Sequence, residues 1–181
     1  EEIDIGGVTL RRAAAKNHPH VGALVDPADY PRVIASLDAG LSDELRRDLA
    51  AKAFRVVARY DAAIAGWMSK ADPLTDTLAL AFEKVQDLRY GENPHQTAAF
   101  YRSGSYGLGG AKQLRGKELS YNNLLDADGA LACIADFTEP TCAIIKHSNP
   151  CGLASAETLE QAFRDAYACD PVSAFGGIIG I

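Results

Sequence analysis

The chain has 181 residues, 48% hydrophobic and 23% charged, enough to bury a core without disulfides and too apolar to stay disordered. Its 18 Lys+Arg against 24 Asp+Glu give a formal net charge of −6, and no stretch approaches the ~20 uninterrupted apolar residues of a membrane span. Nucleic-acid coating and membrane insertion are thereby excluded, whereas a small phosphorylated ligand, which needs only a few local donors, is not.

The chain opens without methionine and stops inside an apolar run at residues 174–181, so it reads as an excerpt of a longer protein. In chain order, residues 9–17 are good helix formers, and residues 21–25 read as a short buried strand before the turn Asp26-Pro27. A helix from residue 28 ends at Gly40. Ser42 can cap a long helix whose apolar residues Leu45, Leu49, Ala53, Val56, Tyr60, Ile64 and Trp67 recur at helical spacing until Asp72-Pro73 breaks it. Leu78, Leu80 and Phe82 then alternate with small residues as a strand does, which predicts a domain boundary near residue 73, dividing 1–72 from 73–181. A glycine-rich stretch at 103–110 leads to Ser120, a cap for a helix carrying Leu124, Leu125, Leu131, Ile134 and Phe137. Residues 141–145 read as a buried strand, 155–168 as a helix and 175–181 as another strand. This pattern predicts a β-α-β unit with parallel strands and a right-handed crossover, and an α/β fold class.

Lys146-His147 stands where the first of these strands ends, the side on which open α/β sheets gather ligands. A histidine can take a proton at neutral pH and a lysine can steady an oxyanion, a pair suited to acyl transfer onto an amine. The loop Arg89-Tyr90-Gly91-Glu92-Asn93-Pro94-His95-Gln96 gathers a cation, a ring and several amides, or is simply a turn built on Asn93-Pro94. Asn123 either completes the cap at Ser120 or presents its amide to a ligand. Asp4 and Lys16 flank Ile5-Gly6-Gly7, read as a turn in which backbone could approach a phosphate; a solvated charge at a helix end is the alternative. Cys133, Cys142, Cys151 and Cys169 form no C-x-x-C pair and read as small buried apolar residues in a reducing cytoplasm. His18-Pro19-His20 has no further ligands around it, so no metal is expected.

Taken together, five blocks occur in order: IDIGGVTLRRAAAKNH from Ile3, DLRYGENPHQ from Asp87, SYNNLLDADGA from Ser120, IIKHSNPCG from Ile144 and DPVSAFGGII from Asp170. Through them the chain strongly resembles the bifunctional purine-biosynthesis family that combines phosphoribosylaminoimidazolecarboxamide (AICAR) formyltransferase with IMP cyclohydrolase, over essentially its whole length. The resemblance implies that residues 1–72 close a methylglyoxal-synthase-like cyclohydrolase domain and that 73–181 begin a cytidine-deaminase-like transformylase domain. It implies formyl transfer from 10-formyltetrahydrofolate, a cosubstrate, to the AICAR amine, then dehydrative ring closure to IMP. His147 matches the general base and Lys146 its partner; Arg89, Tyr90, Asn123, Phe175 and Gly176 match nucleotide-binding positions; Asp4 and Lys16 match positions of the ring-closing site. A cytoplasmic homodimer with its transformylase sites at the subunit interface is implied as well, and neither site is complete in this segment.

Two other readings compete. A helical interaction module around residues 42–70 leaves the five polar blocks unexplained, and a nucleoside deaminase lacks its H-x-E and P-C-x-x-C zinc pattern. One conflict arises within the main reading. Parallel strands put Phe175-Gly176, which precedes its strand, at the edge opposite Lys146-His147, whereas the family resemblance needs both at one nucleotide.

Overall fold

The computed structural model describes residues 2–71 and 74–181, so the expected break and boundary at Asp72-Pro73 lie outside the described residues. The chain forms two compact units, one ending at Phe82 and one spanning Glu83–Ile181.

The first unit is helical among the described residues. Helix α1 (Gly6–Lys16) packs against α3 (Asp43–Met68), with the short α2 (Tyr30–Ile34) between them in sequence. Small side chains make the contact: Ala15, Ala23, Ala50 and Ala53 form the core, with Leu49 and Val57 buried beside them. Ser42 caps α3 as expected, its hydroxyl accepting the Leu45 N–H at 3.1 Å. The buried stripe stops at Val57, however, and Trp67 is 63% exposed. Residues 21–25, expected as a strand, are irregular, because no strand of the described unit runs beside them to pair their backbone. The expected helix from residue 28 to Gly40 is limited to a 3-10 turn (Pro27–Asp29) and α2. That corner is tied to α3 by charge: Lys52 reaches Asp26 at 2.6 Å and Asp29 at 2.9 Å, and Arg32 joins Asp29 to Asp48.

The second unit holds two sheets. Strands β1 (Glu83–Leu88) and β2 (Ala98–Arg102) form an antiparallel pair, and the expected strand at Leu78, Leu80 and Phe82 is displaced into β1. Strands β3 (Thr141–Lys146), β4 (Asn149–Ser155) and β5 (Ile178–Gly180) form the other sheet, in the order β4-β3-β5. Helix α4 (Tyr121–Ile134) covers one face through Ala130, against Ala143 and Ile145. On the other face Ala162 and Ala166 of α5 (Leu159–Cys169) meet Cys142 and Ile144. Strand β3 is therefore buried on both sides, which is why its residues are continuously apolar rather than alternating.

The expected parallel pairing is wrong. Both β4 and β5 run antiparallel to β3, so the predicted right-handed β3-β5 crossover is absent. The chain reverses in two residues, His147 and Ser148, between the paired Lys146 and Asn149, and enters a strand that the sequence reading had passed over. Pro150 is tolerated there because β4 is an edge strand, and the register shifts beside it, leaving Cys151 as a bulge whose thiol donates to the Ile144 carbonyl at 3.3 Å. Only Cys142 of the four cysteines is fully buried, and burial pushes its thiol pKa up; Cys169 is exposed, contrary to the expectation for all four.

Helix α5 lies so close to β4 that a Cβ on Gly152 would stand 1.9 Å from the Ala166 carbonyl oxygen. Gly152→Ala should therefore destabilise the second unit by roughly 1–3 kcal/mol, read as a lowered denaturation midpoint, with unchanged stability contradicting this packing. In the first unit, the hydrogen bond from Lys52 holds the Asp26 carboxyl below its ordinary pKa of 3.8. A depressed folded pKa means that the pairing contributes fully above the ordinary value and is lost as pH falls through the folded one. An NMR titration of Asp26 should thus show a midpoint below 3.8 that Lys52→Met moves upward; no movement would deny the pairing.

Candidate functional site

Strand β3 ends by delivering Lys146, half-buried, and His147, exposed in the reversal, to one edge of the sheet. Because β5 is antiparallel to β3, its beginning lies at that same edge, with Ile178 paired to Ile145. The Lys146 ammonium donates to the Phe175 carbonyl at 2.8 Å. The conflict left by the sequence reading thus disappears with the parallel pairing that caused it. Phe175 is 85% exposed, and Gly176 takes φ 77°, a left-handed backbone that glycine adopts freely.

The Phe175-Gly176 loop is held from behind by α6 (Pro171–Ala174). Asp170 caps that helix, accepting the Ser173 N–H at 3.0 Å, and hydrogen bonding to Ser173 holds the Asp170 carboxyl below its ordinary pKa, with the Lys146 charge adding to the effect. Asp170 followed by proline is a helix-start signal that the sequence reading did not use.

Arg89, Tyr90 and Asn123 are also brought together. The loop after β1 docks on the N-terminus of α4: Arg89 N–H donates to the Leu119 carbonyl, Tyr121 N–H to the Tyr90 carbonyl, and the Asn122 amide to the Glu92 carbonyl. The Arg89 guanidinium lies 5.3 Å over the Tyr90 ring, and one of its nitrogens is 3.5 Å from Asn123 Oδ1. Ser120 and Asn123 form a complete capping box, in which Asn123 Oδ1 accepts from Ser120 N at 3.1 Å. The oxygen of Asn123 is thus occupied by the cap, and its Nδ2 is the part that can address a ligand. Within 89–96 the turn closes on itself through Gly91 N–H to the Gln96 carbonyl and Asn93 N–H to Gln96 Oε1. The turn and ligand readings of this loop are therefore compatible.

Helix α4 links these two groups. Asp126, one turn beyond Asn123, accepts the Ser148 N–H of the reversal at 2.7 Å. Sequence reasoning missed Asp126: beyond the capping residues Ser120 and Asn123, only the apolar residues of that helix carry a signal, and the partner of Asp126 lies 22 positions away.

Asp4 and Lys16 are separated. Asp4 lies two residues before α1 and Lys16 is its last residue, so a helix about 15 Å long at the rise of an α-helix stands between them. Gly6-Gly7 is not a turn but the first residues of α1, and the Gly7 N–H is taken by Asp4 Oδ1 at 3.0 Å. A Cβ on Gly7 would stand 2.5 Å from Asp4 Oδ2, so glycine lets that carboxylate close over the helix start. The Asp4 N–H in turn donates to the Tyr60 hydroxyl at 2.7 Å, which anchors the segment to α3.

Among the described residues no group of three or more His, Cys, Asp or Glu is arranged to hold a metal ion, and no helix is long and apolar enough to cross a membrane.

Comparison with known proteins returns a consistent relationship. The bifunctional purine biosynthesis protein PurH of Anoxybacillus flavithermus is 52% identical over 188 residues, covering 100% of this chain and 37% of that protein. PurH of Anaeromyxobacter sp. is 52% identical over 194 residues with the same coverage, and that of Acidithiobacillus ferrooxidans 52% over 189 residues, covering 99% of this chain and 36% of that protein. The chain thus spans little more than a third of the length of these relatives. Residues 14–181 match the family described as AICARFT/IMPCHase bienzyme, and the chain belongs to that family.

Proposed function

We propose that the chain carries parts of two active sites of a purine-biosynthesis enzyme: the closing part of an IMP cyclohydrolase domain up to about residue 72, methylglyoxal-synthase-like in fold, and from about 73 the opening part of a cytidine-deaminase-like AICAR transformylase domain. The transformylase moves a formyl group from 10-formyltetrahydrofolate to the amine of AICAR, and the cyclohydrolase closes the product to IMP with loss of water. The observation that carries this reading is the meeting of Lys146-His147 with Phe175-Gly176 at one sheet edge, through the 2.8 Å contact of Lys146 with the Phe175 carbonyl.

The AICAR amine is a weak nucleophile, because its lone pair is delocalised into a ring bearing a carboxamide. Attack on the formyl carbon therefore needs a base to take the amine proton as the new C–N bond forms, and the exposed His147 imidazole is the group for it. The formyl oxygen gains negative charge at that moment. Lys146 has three ammonium donors; one is directed at Phe175, and the others can meet that charge. Arg89, Tyr90 and Asn123 Nδ2 would hold the nucleotide, with the Phe175 ring against its base and Gly176 letting backbone come close. Asp4 and Lys16 would serve ring closure in the other domain. With the length of α1 between them they cannot grip one small group together, so each would act with residues from elsewhere in the full-length protein. The rest of both pockets, including the folate contacts, would likewise lie outside this segment, in a cytoplasmic homodimer.

In the full-length protein, His147→Ala should lower formyl transfer by about 100-fold or more and leave ring closure nearly intact, because the two reactions use different units. Assaying both reactions on one preparation checks this. Near-normal transfer would remove His147 from the role of base.

A further inference from the structure

The peptide that joins His147 to Ser148 is gripped from both sides. Its N–H donates to Asp126 Oδ1 at 2.7 Å, and its carbonyl accepts from Asn149 Nδ2 at 2.9 Å. This peptide is the centre of the two-residue reversal, whose residues have φ 53° and 63°, values that L residues without glycine's freedom seldom adopt in succession. In a reversal of this kind the central N–H has no partner in the strand ladder, and its acceptor is either water or a group from outside the hairpin. Helix α4 supplies it as a carboxylate, the stronger kind of acceptor. Released from both bonds, this peptide loses the two contacts that fix its plane, which would re-aim the His147 side chain.

We propose that Asp126, assisted by Asn149, is a positioning residue that fixes the direction of the His147 imidazole toward the nucleotide. The inference rests on the reading of His147 as the base. The helix that bears Asp126 also bears Asn123 one turn earlier, beside Arg89, so a single rigid element sets the nucleotide-binding residues and the tip of the hairpin relative to each other. Asp126 need not touch substrate to matter, since a base displaced by about 1 Å can cost on the order of 100-fold in rate.

The test is a double-mutant cycle in the full-length protein, with ring closure measured on each variant as the control for folding. Asp126→Ala should lower kcat for formyl transfer by about 10- to 100-fold while the KM for the nucleotide changes by less than about threefold. Asp126→Asn, which keeps an acceptor oxygen, should recover most of the loss. In a His147→Ala background Asp126→Ala should cost nothing further, because its effect passes through His147. Should Asp126→Ala also abolish ring closure, Asn149→Ala, which frees the same peptide from its other side, runs the same cycle. An equal loss in both backgrounds, or full activity in the aspartate and asparagine variants beside a crippled His147→Ala, would overturn the positioning role and leave the base reading standing. Normal transfer in His147→Ala itself would overturn the base reading and this inference with it.

Discussion

The reversal of the chain at His147-Ser148 is the constraint on which the second unit depends. It turns β3 back into β4 within two residues, so that the next strand after α5 and α6, β5, returns to β3 from the opposite direction. One consequence is that the end of β3 and the start of β5 lie at the same edge. The other is that the loop ahead of β5 comes within reach of Lys146. A parallel arrangement would have separated the two by the length of the strands, whatever their side chains.

Packing holds this arrangement on both faces. Gly152 admits α5 on one side, and on the other Gly180 meets Ala130 of α4, where a Cβ would lie 3.0 Å from the alanine side chain. With α4 set against the sheet, its first two turns present Asn123 to the Arg89 loop and Asp126 to the hairpin. Core packing and the geometry of the proposed site therefore share one helix, and a change that shifts α4 would be felt both at the Arg89 loop and at the hairpin.

The elements with strong local signals were legible in the sequence. Ser120 and Ser42 cap the helices they were expected to cap, and the apolar run at 141–145 is the buried strand it promised. The strand direction was not legible. A continuous apolar strand records burial on two faces, and two covering helices produce that burial for an antiparallel strand as well as for a parallel one. Strand β4 was hidden for a related reason: its Asn149-Pro150 start resembles a loop, and His147-Ser148 lacks the Asn-Gly chemistry that marks a two-residue hairpin. Of the candidate residues of the second unit, Lys146, His147, Arg89, Tyr90 and Asn123 stand out through their polar motifs, whereas Phe175 and Gly176 were put forward through the family resemblance alone. Asp126 stayed invisible because its role depends on a partner 22 positions away. In the first unit the paired glycines suggested a turn, whereas they start a helix in which the Asp4 carboxylate takes the Gly7 N–H.

The central claim is that one nucleotide meets both the His147 reversal and the Phe175-Gly176 loop. A crystal structure of the full-length protein with AICAR bound tests it most directly. The account predicts the nucleotide's amine facing the His147 imidazole, with Phe175-Gly176 and the Arg89-Asn123 pair contacting the same molecule. A nucleotide bound against Arg89 and Asn123 with His147 turned away from its amine, or with Phe175-Gly176 out of contact, would contradict it.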